Sequence, residues 1–276
     1  MVALAAPSRR PPAPSGLRTP AARLSLAFFP TMAPDVLRAR TVANRRRAGA
    51  LVAVCSGPLG VAIGLIVWWA SSWPFAIVGF AVSTALLAVA IWWAAEPLAR
   101  RALGGAKADP WRHARLLNLV EGLCATIGVR QPVVRVRDES SLNAAVCGRR
   151  RRSATLVVTQ GLLDELDRLE LEGVVAQLLT RVRCYDMLPA TVTVATLGIG
   201  ASFLSPPEPV TAIDRAAVGF TRYPPALASA LEKMELKGTE VRGASRATAL
   251  LWFAEPAAGA KVPTPLRDRI EALAEL

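Results

Sequence analysis

The sequence predicts an α+β protein, mainly helical with a small β-sheet, whose folded domain follows a transmembrane helical hairpin. Three observations carry this. From Ala48 to Ala95 the chain holds no charged residue, a run long enough for two bilayer crossings at roughly 20 residues each. Behind that run come two short alternating segments of the strand kind and several longer segments with helical periodicity. Mean hydropathy is +0.35 while the formal net charge is +12, a pairing that points to a membrane rather than to an ordinary soluble domain.

Residues 1–44 are rich in Pro, Ala and Arg with little apolar periodicity, and are expected to be disordered. A signal peptide fits poorly there, because Leu24 to Phe29 is too short for an apolar core and no small-residue cleavage site follows it; Met32 is a second candidate start. Residues 45–100 form the hairpin, with spans at about 48–70 and 73–95. Ser71, Ser72, Trp73 and Pro74 make the connector, since Pro disfavours helix at the residue before it and Ser competes for backbone hydrogen bonds. The alternative, a buried helical hairpin of a soluble protein, fits the length less well.

Arg38, Arg40, Arg45, Arg46 and Arg47 precede the first span, and Arg100, Arg101 and Lys107 follow the second, whereas the connector has no Lys or Arg. The positive-inside rule then puts both ends of the hairpin in the cytoplasm, making this a multi-pass protein of a bacterial plasma membrane with its domain on the cytoplasmic side. Trp68, Trp69 and Trp73 belong at the outer interface and Trp92 and Trp93 at the inner one. The basic excess is accounted for by lipid contact; no nucleic-acid-binding motif accompanies it, so nucleic acid is not an expected partner.

Residues 109–276 form the domain. Asp109 and Pro110 read as N-cap and first residue of a helix over 111–127, stopped by Gly128 and carrying Leu116, Leu119, Val120 and Leu123 on its apolar stripe. Residues 132–137 and 154–159 alternate as strands, with a basic hairpin tip at Arg149 to Arg152 that is either a solvated loop or a contact for anionic headgroups. Helices are expected over 162–169, 171–185, 225–237 and 266–275. The apolar stretch 187–204 reads as a re-entrant or protein-packed helix, with a full crossing as the alternative. Cys55, Cys124, Cys147 and Cys184 are scattered and read as free buried thiols of a reducing compartment.

The helix from Glu170 to Asp186 has the frame of an H-E-x-x-H segment, in which two His one turn apart hold Zn²⁺ and the Glu acts as general base. Those three positions read Gln177, Leu178 and Arg181. Around them, Asn44 to Arg47 before the apolar hairpin, Ser141 to Ala145 with Gly148, Thr159 to Leu163, Glu170 to Ala176, Asp186, and Thr221 to Leu227 with Ala230 to Lys233 follow one another in an order that resembles the HtpX-type integral-membrane zinc metallopeptidases, metallopeptidase family forty-eight, which also includes the prenyl-protein proteases. The resemblance covers roughly two-thirds of the chain and implies a zincin-like fold of the gluzincin type, with a role in protein quality control.

It also implies which residues are lost. In the family a third ligand Glu lies four residues before an Asp that supports a His ligand; Asp214 matches that Asp, and Val210 stands in the place of the Glu, with Glu208 two residues away. Asn143, Ala144, Gly148, Asp186 and Asp214 are retained family positions. The sole histidine, His113, lies far upstream, so two-His coordination is impossible and no zinc or other cofactor is expected. Cys184 shares the face of Gln177 but is crowded by Arg181 and Arg183. Arg181 either stands in for the lost ion beside Asp214 and Glu208 or snorkels to solvent.

Three functions stay open. One is a catalytically inactive pseudo-peptidase that binds membrane-protein or unfolded polypeptide segments along the strand edge at Asn143, Ala144 and Ala145. Another is an active zinc endopeptidase with unconventional ligands. The third is a decaying paralogue.

Overall fold

The computed structural model describes residues 34–70, 72–198, 210–257 and 264–276. Two long helices come first, α1 (Pro34–Ala70) and α2 (Trp73–Leu103), and both are long and apolar enough to cross a membrane. Their outer faces are exposed along Val61, Leu65, Ile66, Trp69, Phe75, Ile77 and Leu86, as lipid-facing surfaces should be. Gly60, Gly64 and Gly79 sit against Thr84, Phe80 and Val67 of the opposing helix, where the missing side chains let the two backbones approach. Pro74 falls in the first turn of α2, where its missing N–H costs no hydrogen bond.

Helix α1 begins well before the first span. The disorder expected through residue 44 is corrected for residues 34–44, which are helical; Arg40 and Asn44 are buried, 6% and 3% exposed. Their polar side chains hid this in the sequence, because partners more than a hundred residues away take them up.

A four-stranded sheet has the order β1-β2-β4-β3, with β1 (Ala106–Lys107), β2 (Val133–Arg137), β3 (Ala144–Cys147) and β4 (Thr155–Thr159). Strands β2 and β4 run parallel; the β1–β2 and β3–β4 pairs are antiparallel. Gly148 leaves β3 at φ +152, and a Cβ there would lie 2.9 Å from Ala154 Cα, so this family position must be glycine for the hairpin to close.

Helix α3 (Ala114–Ile127) starts later than expected: Asp109 accepts from the N–H groups of Trp111 and Arg112, capping a turn rather than the helix itself. After β4 come α4 (Gln160–Glu165) and α5 (Arg168–Arg183). The break falls at Leu166 and Asp167, not at Glu170, because Asp167 and Glu170 form a reciprocal capping box.

Helix α6 (Met187–Ala195) has nine residues, and its buried face packs on the hairpin and on β3. Residues 199–204 of that apolar stretch lie outside the described residues, as does Glu208. Helices α7 (Thr211–Thr221), α8 (Pro224–Lys237) and α9 (Leu266–Ala274) complete the fold. One core cluster joins Ala48 and Leu51 of α1 and Ala95 of α2 to Leu188 and Val192 of α6; another joins Ala99 and Leu103 to Ala145, Val157, Val194 and Trp252. The end of the hairpin that carries Ala48 and Ala95 is therefore part of the domain core rather than a separate tether.

Candidate functional site

Helix α5 carries the positions in question through the middle of the domain, packed by α3, α7, α8 and β3. From Leu171 to Val182 only Glu172 is not buried, so Gln177, Thr180 and Arg181 lie in the interior with the apolar residues and no single apolar stripe marks the helix. Gln177 and Leu178 are 1% and 0% exposed.

Neither polar atom of the Gln177 amide has a hydrogen-bond partner among the described residues. A buried amide left unpaired is costly, and it lies at the position that the resemblance gives to the first His. Leu178, in the place of the base, has no proton to move.

Arg181 neither snorkels nor pairs with Asp214. Its guanidinium is buried and donates from Nη1 to the carbonyls of Leu251 and Trp252, at 3.1 and 3.3 Å, and from Nη2 to that of Leu250 at 2.5 Å. Burial pulls its pKa down to about 10, still far above neutrality, so the group stays a cation. The three carbonyls come from the short 3₁₀ turn Ala249–Leu251 and the residue after it.

Asp214, on α7, is held by Arg269 of α9: Nε to Oδ2 at 2.8 Å and Nη2 to Oδ1 at 2.9 Å, with both side chains 1% exposed. Arg269 Nη1 also donates to the Phe253 carbonyl at 2.8 Å, and its guanidinium lies 4.3 Å from the Phe253 ring centre. The expectation that Arg181 neutralises Asp214 is thus corrected to Arg269. Sequence reasoning passed over Arg269, although it shares a face with Leu266 and Leu273 on an amphipathic helix, which is a sign of a buried cation.

Asp186, at the start of α6, accepts from Arg40 Nε at 3.0 Å and Nη2 at 2.9 Å, and from Asn44 Nδ2. Asn44 donates also to the Cys184 carbonyl at 3.1 Å. Val210 is the half-buried N-cap residue of α7, its N–H bonded to Thr264 Oγ1 at 3.2 Å.

Asn143 is fully buried and ties three segments together. Its Nδ2 donates to Thr239 O and Ala254 O, and its Oδ1 accepts from the N–H groups of Ala144 and Ala254. The strand edge beside it is not open: Phe253 N–H donates to Ala144 O at 2.7 Å, and Ala145 bridges Trp252. The exposed edge expected at Asn143, Ala144 and Ala145 is therefore occupied by the chain itself.

Zinc does not fit this set of side chains. Gln177 offers an amide, Leu178 and Val210 offer hydrocarbon, and Arg181 brings a fixed positive charge into the place of a ligand. Among the described residues no three His, Cys, Asp or Glu side chains are grouped to hold a metal. Burial pushes the Cys184 and Cys147 thiols up to about 12 and the Cys124 thiol up to about 11, which disfavours the thiolate a metal requires. His113, just before α3, accepts the Asp109 N–H at its Nδ1.

Comparison with known proteins bears on the family. A protease HtpX homolog of Dictyoglomus thermophilum is 33% identical over 205 aligned positions, which cover 57% of this chain and 68% of that protein. The chain belongs to the HtpX-like peptidase family. An HtpX homolog of Dictyoglomus turgidum is 29% identical with the same coverage of both chains, and one of Tropheryma whipplei is 32% identical over 51% of this chain and 63% of its own length. No family model and no solved structure matches the chain. Membership of the HtpX-like family and two apolar helices make this a membrane protein.

Proposed function

We propose that this HtpX-like protein is a proteolytically inactive homologue, a zincin-like domain that keeps the family frame and has exchanged its metal-bearing face for a packed one. The observation that carries the reading is Arg181. In the place of a zinc-binding His it donates to the carbonyls of Leu250, Leu251 and Trp252, so the side chain that breaks the metal site also fastens the domain together. Leu178 beside it is wholly buried, so the position of the general base has become core.

The hairpin keeps both of its basic flanks in the cytoplasm in this reading, and the domain lies on that side of a bacterial plasma membrane. Any binding of membrane-protein or unfolded segments uses a surface other than the β3 edge, since Trp252 and Phe253 take up that edge. The buried polar pairs Asp214–Arg269 and Asp186–Arg40 and the satisfied Asn143 support a fold still under constraint rather than a decaying one.

Elemental analysis of the full chain purified in detergent, run beside a cleavage assay on an unfolded casein, tests this. The expected result is no zinc in proportion to protein and no cleavage that a chelator abolishes. One tightly held zinc per chain together with chelator-sensitive cleavage would overturn it.

A further inference from the structure

Where α2 leaves the apolar run and meets the sheet, Pro97, Arg100, Arg101, Gly104 and Arg135 line a cleft of about 420 Å³. Three of these five residues are arginines, and no carboxylate is among them. The neighbouring cations are spoken for: Arg149 pairs with Glu96 at 3.4 Å and lies over Trp93, and Arg137 lies 3.9 Å from Glu139 and donates to Leu103 O. Arg100 and Arg101, by contrast, have no carboxylate within 4.0 Å among the described residues, and both are exposed.

Arg135 is fixed in position. Its Nε donates to Gly104 O at 3.2 Å and Gly105 O at 3.0 Å, and its Nη2 donates to Gly105 O as well. This grip depends on the sharp exit from α2, where Gly104 and Gly105 have φ of +70 and +77. The Nη1 hydrogens of Arg135 have no partner among the described residues, leaving a preorganised donor edge at the cleft.

Depth in the membrane completes the argument. Arg100 and Arg101 lie eight residues beyond Trp92 and Trp93, about 12 Å along the helix axis. If the two indole rings sit at the interface, the arginines reach the layer of lipid phosphates and beyond. Arg100, Arg101 and Arg135 line one cleft, and guanidinium matches phosphate oxygens with paired N–H donors.

We propose that this cleft is a phosphate-ester site that holds the headgroup of an anionic phospholipid, with Arg100 and Arg101 as the charge-bearing clamp and Arg135 as the fixed donor. The acyl chains of such a lipid would run along the apolar face of α2, and a basic pocket at the inner end of a transmembrane helix is the setting in which such headgroups bind.

The full chain, purified in mild detergent, is titrated with dioleoyl phosphatidylglycerol or dioleoyl phosphatidylcholine and the bound lipid counted by native mass spectrometry. Phosphatidylglycerol is expected to bind in preference. The variant Arg100→Gln/Arg101→Gln should bind it roughly thirtyfold more weakly, at about fivefold per arginine. Arg150→Gln/Arg152→Gln, at the exposed hairpin tip, should leave binding unchanged. Should the double variant at 100 and 101 not fold, Arg101→Gln alone reads the effect at about fivefold. Equal binding of the two lipids, no loss in the Arg100 and Arg101 variants, or an equal loss in the tip variant overturns the site. Displacement of the lipid by millimolar inorganic phosphate overturns the lipid as its occupant.

Discussion

Arg269 grips Asp214 with two parallel hydrogen bonds, 2.8 and 2.9 Å, in a pocket where each side chain is only 1% exposed. The pair joins α7 to α9, and through Phe253 it also fixes the segment that closes the edge of β3. An acid that the family resemblance assigns to support of a metal ligand is thus fully satisfied by a guanidinium. Its retention here needs no metal.

Breaking that pair from either side should be far worse than removing it whole. Arg269→Ala leaves a buried carboxylate alone and Asp214→Ala leaves a buried guanidinium alone, each costing about 3–5 kcal/mol. The double variant Asp214→Leu/Arg269→Met should recover a large part of that loss, since the charges no longer need each other. Denaturation midpoints of the four proteins in one detergent check this; additive losses would show that the two residues act separately.

Arg40 and Asp186 play the same role for the hairpin. Their ion pair, 2.9 Å long with side chains 6% and 12% exposed, pins the start of α1 against the junction of α5 and α6. A double-mutant cycle with Arg40→Ala and Asp186→Ala should return a coupling of about 1–3 kcal/mol. Limited proteolysis should then cut the N-terminal part of α1 faster in either variant than in the parent. A coupling near zero would mean that the helix is held by Asn44 and the apolar contacts instead.

Gln177 supplies a prediction of opposite sign. Both of its amide atoms are buried without a partner among the described residues, so the residue bears a desolvation cost that no described hydrogen bond offsets. Gln177→Met keeps the volume and removes the polar atoms, and should stabilise the protein by about 1–2 kcal/mol. Destabilisation instead would reveal a hydrogen-bonding partner for that amide.

Much of this architecture was legible in the chain, and the failures share one cause. The two apolar helices, β2, β4, α8 and α9 follow from local pattern, because each records its own burial in its own residues. The residues that the resemblance puts at the ligand and base positions, Gln177, Leu178, Arg181 and Val210, are read equally locally. What the sequence concealed are long-range pairings of charge: Arg40 and Asp186 are 146 residues apart, and Arg269 and Asp214 are 55 apart. No periodicity links such residues, so polar positions at 34–44 looked like solvated chain, and Arg181 looked in need of an acid when carbonyls met its N–H groups. The occupied edge of β3 was hidden for the same reason, its partner segment lying more than a hundred residues downstream at Trp252.

Glu170 gives the protein a pH dependence whose sign can be worked out. Burial raises the pKa of its carboxyl, but hydrogen bonds from Lys233 Nζ at 2.7 Å, Ser229 Oγ at 2.6 Å and the Asp167 N–H outweigh that and hold it below the usual carboxylate value. A carboxyl depressed on folding contributes stability that is fully present above its unfolded pKa, roughly 4.3, and is lost as pH falls through its folded pKa. Lys233, raised mainly by its hydrogen bond to Glu170, contributes below the ordinary lysine range and loses that contribution as pH rises through its own elevated pKa. The stability difference between the parent and Glu170→Gln should therefore be flat near neutrality and shrink on acidification below about pH 4. Denaturation curves for both proteins across that range, at fixed salt, measure it. A difference that instead grows toward acid would mean that the folded state binds the Glu170 proton more tightly than the unfolded chain does, and that the bonds to Lys233 and Ser229 do not control its charge.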